Sequence, residues 1–123
     1  MSGLTPEDKL LSTVGLCARA RKLVMGTPMV CEAMREKRTR VLAVLEACDT
    51  SENTHRKLVS KCGFYGVPLY RLTADTARLG RAIGKTGAVA AVGVTDENLY
   101  KALAPNLPSR EESGETVIEP QNE

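Results

Sequence analysis

The sequence predicts an α/β protein, a β-sheet held between layers of helix. Two observations predict it. Five short phrases that open helices recur along the chain, and four apolar runs of β-type composition fall between them. Strands alternating with helices give a sheet covered by helix layers. Two of the four runs are almost continuously apolar, as strands buried on both faces should be.

The elements follow in order. "TPED" at Thr5 opens the first helix: a Thr side chain accepts a bond from a first-turn N–H, and Pro6 stands where a missing N–H costs nothing. Glu7 and Asp8 meet the positive end of the helix dipole. Leu10, Leu11, Val14, Cys17 and Ala18 make its apolar stripe. The short run "KLVM" at 22–25 is the first strand. "TPMV" opens the second helix, with Thr27 as the expected cap, Pro28 just inside and Met29 exposed. Val30, Ala33 and Met34 form its stripe, and its far end carries Arg35, Lys37, Arg38 and Arg40. "RVLAVLEA" at 40–47 is the second strand. "SENT" at Ser51 starts a helix with the stripe Leu58, Cys62 and Tyr65, followed by the strand "VPLYRL" at 67–72. "TADT" at Thr73 starts the fourth helix, "GAVAAVGV" at 87–94 is the last strand, and "TDEN" at Thr95 starts the last helix. No internal repeat is present.

After Leu103 the composition changes to Pro, Glu, Ser, Gly and Asn. The expected organisation is a domain at 1–104 and an acidic, disordered tail at 105–123, with Val117 and Ile118 as its one apolar pair. Charge divides at the same place. Residues 1–104 hold 16 Lys and Arg against 10 Asp and Glu, a balance of +6, and residues 105–123 hold 1 against 5, a balance of −4. A basic body with an acidic tail suits a nucleic-acid binder. One Phe, three Tyr and no Trp leave little material for an aromatic platform that stacks single-stranded bases.

The cysteines, Cys17, Cys31, Cys48 and Cys62, are 14, 17 and 14 residues apart, and His55 is the one histidine. That spacing makes no zinc knuckle. Four free thiols in a reducing cytosol are expected, with no metal and no cofactor. The N-terminus has no apolar stretch of signal length, and no run approaches membrane-spanning length, so a cytoplasmic protein without membrane contact is expected.

Three stretches offer chemistry. In "IGKTG" (83–87), Gly84, Lys85 and Thr86 resemble a phosphate loop, but Leu79 stands where its first Gly belongs and a helix ends there instead of beginning. Glycines that let backbone N–H groups approach a ligand, with Lys85 as a phosphate contact, are the better reading. In "CDTSENTH" (48–55), Cys48 and His55 suggest a nucleophile and base, but no third residue to orient the imidazole is evident in the sequence. A plain strand-to-helix connection explains the stretch as well, and no catalysis is expected. In "KLVMGTPM" (22–29), Gly26 permits an unusual turn before a helix start flanked by Arg19, Arg21 and Lys22, which suits a phosphate backbone.

Taken together, "VGLCARARKLVMGTPMVCEAM" (14–34), "VLAVLEACDTSENTHRKLVSKCGFYGVPLY" (41–70), "LGRAIGK" (79–85) and "AVAAVGVTDENLYKAL" (88–103) resemble the superfamily of ribosomal proteins L-seven-Ae and L-thirty-e, in its bacterial YlxQ-type branch. The likeness runs from about Leu10 to Leu103. It implies a three-layer α/β/α sandwich with a four-stranded mixed sheet and about five helices. It also implies binding of kink-turn RNA through the start of the second helix and the loops at 48–53 and 83–87. The RNA-contacting residues expected here are Lys22, Gly26, Thr27, Pro28, Met29, Arg35, Ile83, Gly84, Lys85 and Thr86. One departure stands out. The family's kink-turn binders show Gly-Thr-Asn-Glu-x-x-Lys at this helix start, where this chain has Pro28, Met29 and Glu32. The expectation is a monomeric protein that binds structured RNA, in the ribosome or another ribonucleoprotein. The alternative is a protein–protein module on the same fold that has lost kink-turn recognition.

Overall fold

The computed structural model describes residues 5–36 and 38–108. Its elements are α1 (Pro6–Arg19), β1 (Leu23–Met25), α2 (Thr27–Glu36), β2 (Ala43–Glu46), α3 (Glu52–Tyr65), β3 (Leu69–Arg71), α4 (Thr76–Ala82), β4 (Ala91–Val94) and α5 (Glu97–Leu103), followed by a 3₁₀ turn, Ala104–Asn106. The four strands form one mixed sheet in the order β1-β4-β2-β3. β4 runs antiparallel to β1 and β2, and β2 runs parallel to β3. Both central strands, β2 and β4, are buried throughout. They are the two runs whose continuous apolar character the sequence displays, because a strand with helices over both faces needs no polar side.

Helices cover both faces. Leu10, Val14, Cys17, Leu79 and Leu103 bring α1, α4 and α5 onto Leu45, Val92 and Val94. Val30, Met34, Leu58 and Cys62 bring α2 and α3 onto Val44, Leu69 and Ala91. Alternate residues of β2 thus enter opposite cores, as the pleat requires.

Two caps are those read from the sequence. Thr5 and Asp8 exchange backbone bonds of 3.0 and 3.1 Å in a capping box, and Ser51 accepts from the Thr54 N–H at 3.1 Å. Three differ. Asp75, not Thr73, caps α4 by accepting from Arg78 N–H at 2.8 Å, and Asp96, not Thr95, caps α5 by accepting from Leu99 N–H at 3.0 Å. A carboxylate at the positive end of a helix adds charge to the same hydrogen bond. At α2 the cap position belongs to Gly26, whose carbonyl accepts the first helical bond from Val30 N–H at 2.9 Å. Thr27 is therefore the first helical residue.

Within the expected tail, Pro105 and Asn106 lie in the 3₁₀ turn and Leu107 packs against the α1/α5 core. Residues 109–123, which carry the rest of that expectation, lie outside the described residues. Among the described residues, no helix is long and apolar enough to cross a membrane.

Candidate functional site

The start of α2 is built by Gly26. Its φ of 94° lies where side chains are strained. Its N–H donates to the Ala91 carbonyl of β4 at 2.8 Å, so the turn is tied to the sheet centre before the helix begins. Pro28 and Met29 face outward, Met29 with 57% exposure. Beside them, Met25 and Gly26 share a cavity of about 330 Å³ with Lys85, Thr86 and Gly87. Two stretches about sixty residues apart in the sequence therefore form one surface. Lys22 is exposed at the entry to β1.

The segment 83–87 works differently from the sequence reading. The Gly84 N–H donates to Arg81 O at 3.1 Å and the Lys85 N–H to Gly80 O at 2.8 Å. Both close the end of α4, so they are not offered to a ligand. Ile83, expected at the interface, is 8% exposed and packs in the core. What remains outward is Gly84, the Lys85 side chain, Thr86 and Gly87. The segment lies close on α4 because residue 80 is Gly: a Cβ there would stand 2.1 Å from the Gly87 carbonyl oxygen.

One further residue is placed otherwise than expected, while Arg35 lies at the far end of α2 as the sequence puts it. The Thr27 hydroxyl neither caps α2 nor reaches the surface; its oxygen is enclosed with no partner among the described residues. Arg35 sits in the last turn of α2, away from the helix start, and donates to Glu32 at 2.6 Å. That bond holds the Glu32 carboxyl below its usual pKa and offsets the negative charge that Glu32 brings to the helix.

The loop at 48–53 stands at the same end of the sheet, since β1 and β2 both finish where β4 begins. It is fastened to the start of α4: Asp49 accepts from the Thr76 N–H at 2.7 Å and its hydroxyl at 3.2 Å. Arg71 donates to the Cys48 carbonyl at 3.1 Å.

Beneath this loop lies a group that the sequence reading passed over. Glu46, in central strand β2, is fully buried. Its carboxylate is 2.8 and 3.0 Å from His55 Nδ1 and accepts from the Thr50 hydroxyl at 2.5 Å, with Arg71 as its partner in the β3 register. Glu46 is thus the residue that orients His55. The arrangement anchors the first turn of α3 to the sheet, which gives His55 a structural task. Cys48 is an exposed free thiol. A lone carboxylate in a continuous apolar strand was the available signal, because a buried charge requires a partner.

A family model described as Ribosomal protein L7Ae/L30e/S12e/Gadd45 family matches residues 8–104. The chain belongs to this family. The L7Ae-type match spans the whole sheet and all five helices apart from the first turn of α1. Among curated relatives, the "RNA-binding protein YlxQ" of Bacillus subtilis (strain 168) is 40% identical over 90 residues, 73% of this chain and 86% of that protein. The protein of the same name from Enterococcus faecium is 32% identical over 94 residues, 76% of this chain and 86% of its own length. Among solved structures, a Bacillus halodurans C protein of unknown function is 37% identical, with a TM-score of 0.72 over 80% of this chain and 95% of that one. The Giardia lamblia 15.5kD RNA binding protein is 18% identical, with a TM-score of 0.67 over 86% and 88%. That last likeness is one of fold. The L7Ae-type fold read from the sequence is the one observed.

Proposed function

We propose that this protein binds structured RNA through the start of α2, with Lys22, Lys85 and Thr86 alongside, in a reducing cytosol. The observation that carries the reading is the cavity in which Met25 and Gly26 meet Lys85, Thr86 and Gly87. Exposed Lys85 stands beside a helix start whose first-turn N–H groups favour anions, and exposed Lys22 lies at the entry to the strand that leads to it. The names of the YlxQ relatives support the same reading. Recognition is altered relative to the kink-turn pattern: Pro28 has no side-chain donor, and Met29 is apolar. A good base contact is worth about 1–3 kcal/mol of discrimination. Losing two costs about 2–6 kcal/mol, or roughly 30- to 10⁴-fold in affinity. The phosphate contacts carry no sequence information and survive.

A second reading is favoured by Met29 itself, whose 57% exposure beside Pro28 suits an apolar protein partner. A salt titration separates the two. Binding of a kink-turn, a plain duplex of equal length and a single strand is compared for the native chain and a Pro28→Asn, Met29→Glu, Glu32→Lys variant. The RNA reading expects a steep salt slope in the native chain and a gain of kink-turn preference in the variant. If neither protein binds any of the three RNAs, the RNA reading is lost and the protein-partner reading replaces it.

A further inference from the structure

We propose that the groove between α1 and α4 takes a backbone phosphate of the RNA strand that leaves the α2 site, held by Arg19 and Arg81, with Arg21 following in the turn that closes α1. The proposal rests on the RNA reading above and enlarges its footprint. The groove exists because Gly15 has no side chain: a Cβ there would lie 2.7 Å from the Ala82 carbonyl oxygen and 3.9 Å from a guanidinium nitrogen of Arg19. α1 therefore touches the last turn of α4, and Arg19 folds back over the contact. The resulting cavity, about 380 Å³, is lined by Arg19, Arg78 and Arg81 and by one carboxylate, Asp8.

Asp8 is already engaged, accepting from Arg78 and from the Thr5 N–H. Arg19 and Arg81, both exposed, are left as a surplus of positive charge around a polar hollow. A phosphate is the ligand that two planar guanidinium groups suit. The groove also adjoins the proposed RNA site. The chain that finishes α4 at Ala82 runs directly into 83–87, so one short segment walls both cavities.

Arg21 supplies an independent observation. It is the one non-glycine residue with positive φ among the described residues, at 61°. It occupies the helix-closing position where glycine is usual: Lys22 N–H reaches back to Cys17 O at 2.9 Å and Arg21 N–H to Ala18 O at 3.0 Å. A strained backbone that keeps a cation two residues beyond Arg19, where glycine would close the helix without strain, points to binding.

The bland role for Arg19 and Arg81 is to face the negative ends of their own helices. That role affects stability and leaves RNA binding unchanged. The test therefore measures both. The full chain, Arg21→Gly and Arg81→Gln are titrated at several salt concentrations with three RNAs: one kink-turn with short stems, and two in which one stem or the other is a helical turn longer. For the native chain, one lengthened RNA should bind about 3- to 10-fold more tightly per added phosphate contact near 100 mM salt. Arg81→Gln should lose that gain and keep the short-stem affinity. Arg21→Gly should melt higher and still bind the lengthened RNA less well. The proposal fails if neither lengthened stem improves binding, or if the variants change melting alone. Lys85→Ala keeps the two readings apart. Loss of short-stem binding in that variant, with no gain from longer stems in the native chain, leaves the α2 site standing and removes the groove. If the native chain binds none of the RNAs, both readings fall.

Discussion

At Gly26 the backbone turns through a conformation that side chains avoid, and the N–H of that same residue is fixed to β4. The α2 start is therefore set by backbone geometry, and the side chains there are left to choose a ligand. Thr27 looks like a cap in the sequence because Thr is a good cap type. At Thr27, however, the backbone is already helical, because Gly26 takes the turn one residue earlier. Cys62 shows a similar dependence on surroundings. It lies in α3, 2% exposed in the core shared with α2, and burial, then Cys31 and then Glu46 push its thiol from an ordinary 9.0 up to about 12. The folded form thus holds a proton that the unfolded chain releases. The stability it contributes is whole below pH 9.0 and declines as pH rises toward 12. Urea unfolding should show almost no change from this thiol between pH 8 and 9, and a fall approaching about 1.4 kcal/mol per pH unit between pH 10 and 11. The slope should be shallower by that amount in Cys62→Ala; equal slopes would discount the buried thiol.

At the scale of elements, β2 and α3 are joined by more than apolar packing. Glu46 has no exposure, and the His55 side chain retains 24%, so the pair is only half removed from water. His55→Leu strands a buried carboxylate and should cost about 2–4 kcal/mol. Glu46→Leu combined with His55→Leu should recover most of that, because both sites then hold apolar groups of similar size. Equal losses in single and double variants, measured by chemical denaturation, would show that the pair is not the cause. The elements themselves were legible: all four strands and five helices lie within the stretches that periodicity and turn residues mark. The strands came out shorter than the apolar runs, three or four residues each. Apolar residues at the ends of a run also serve the turns, as Val41 and Val89 do in the two cores. Less of the site was legible. That Lys85 and Gly26 would meet followed from family likeness, not from spacing. Ile83 and the spent N–H groups of Gly84 and Lys85 were misplaced because the way α4 closes depends on Gly80 and Gly87 touching in space.

Over the whole molecule, charge is the quantity that organises the proposed interface. Arg19 and Arg81 line the α1–α4 groove and Lys85 lines the cavity at the α2 start, with Arg21 and Lys22 in the connection from α1 to β1, while residues 109–123 hold 5 acids and 1 Arg. Exposed opposite charges attract at low ionic strength and lose contact beyond a Debye length of about 10 Å at 0.1 M salt. Removing residues 109–123 should therefore tighten RNA binding several-fold near 50 mM salt and have little effect near 300 mM. The cut spares Leu107, which belongs to the core. Unchanged affinity at low salt would remove the tail from the account of binding.

The sheet order carries a consequence for synthesis. Of the strands in the described residues β4 is the last made, yet it lies between β1 and β2, with Leu23 paired to Val94 and Ala43 to the same residue. A chain emerging from its N-terminus first holds β1 and β2 with nothing between them until residue 94 is available. Gly26 likewise waits for the Ala91 carbonyl that fixes its turn. The nascent protein is therefore unable to present its ligand surface until nearly all of the fold has been made, so partial chains compete poorly for whatever the finished molecule binds.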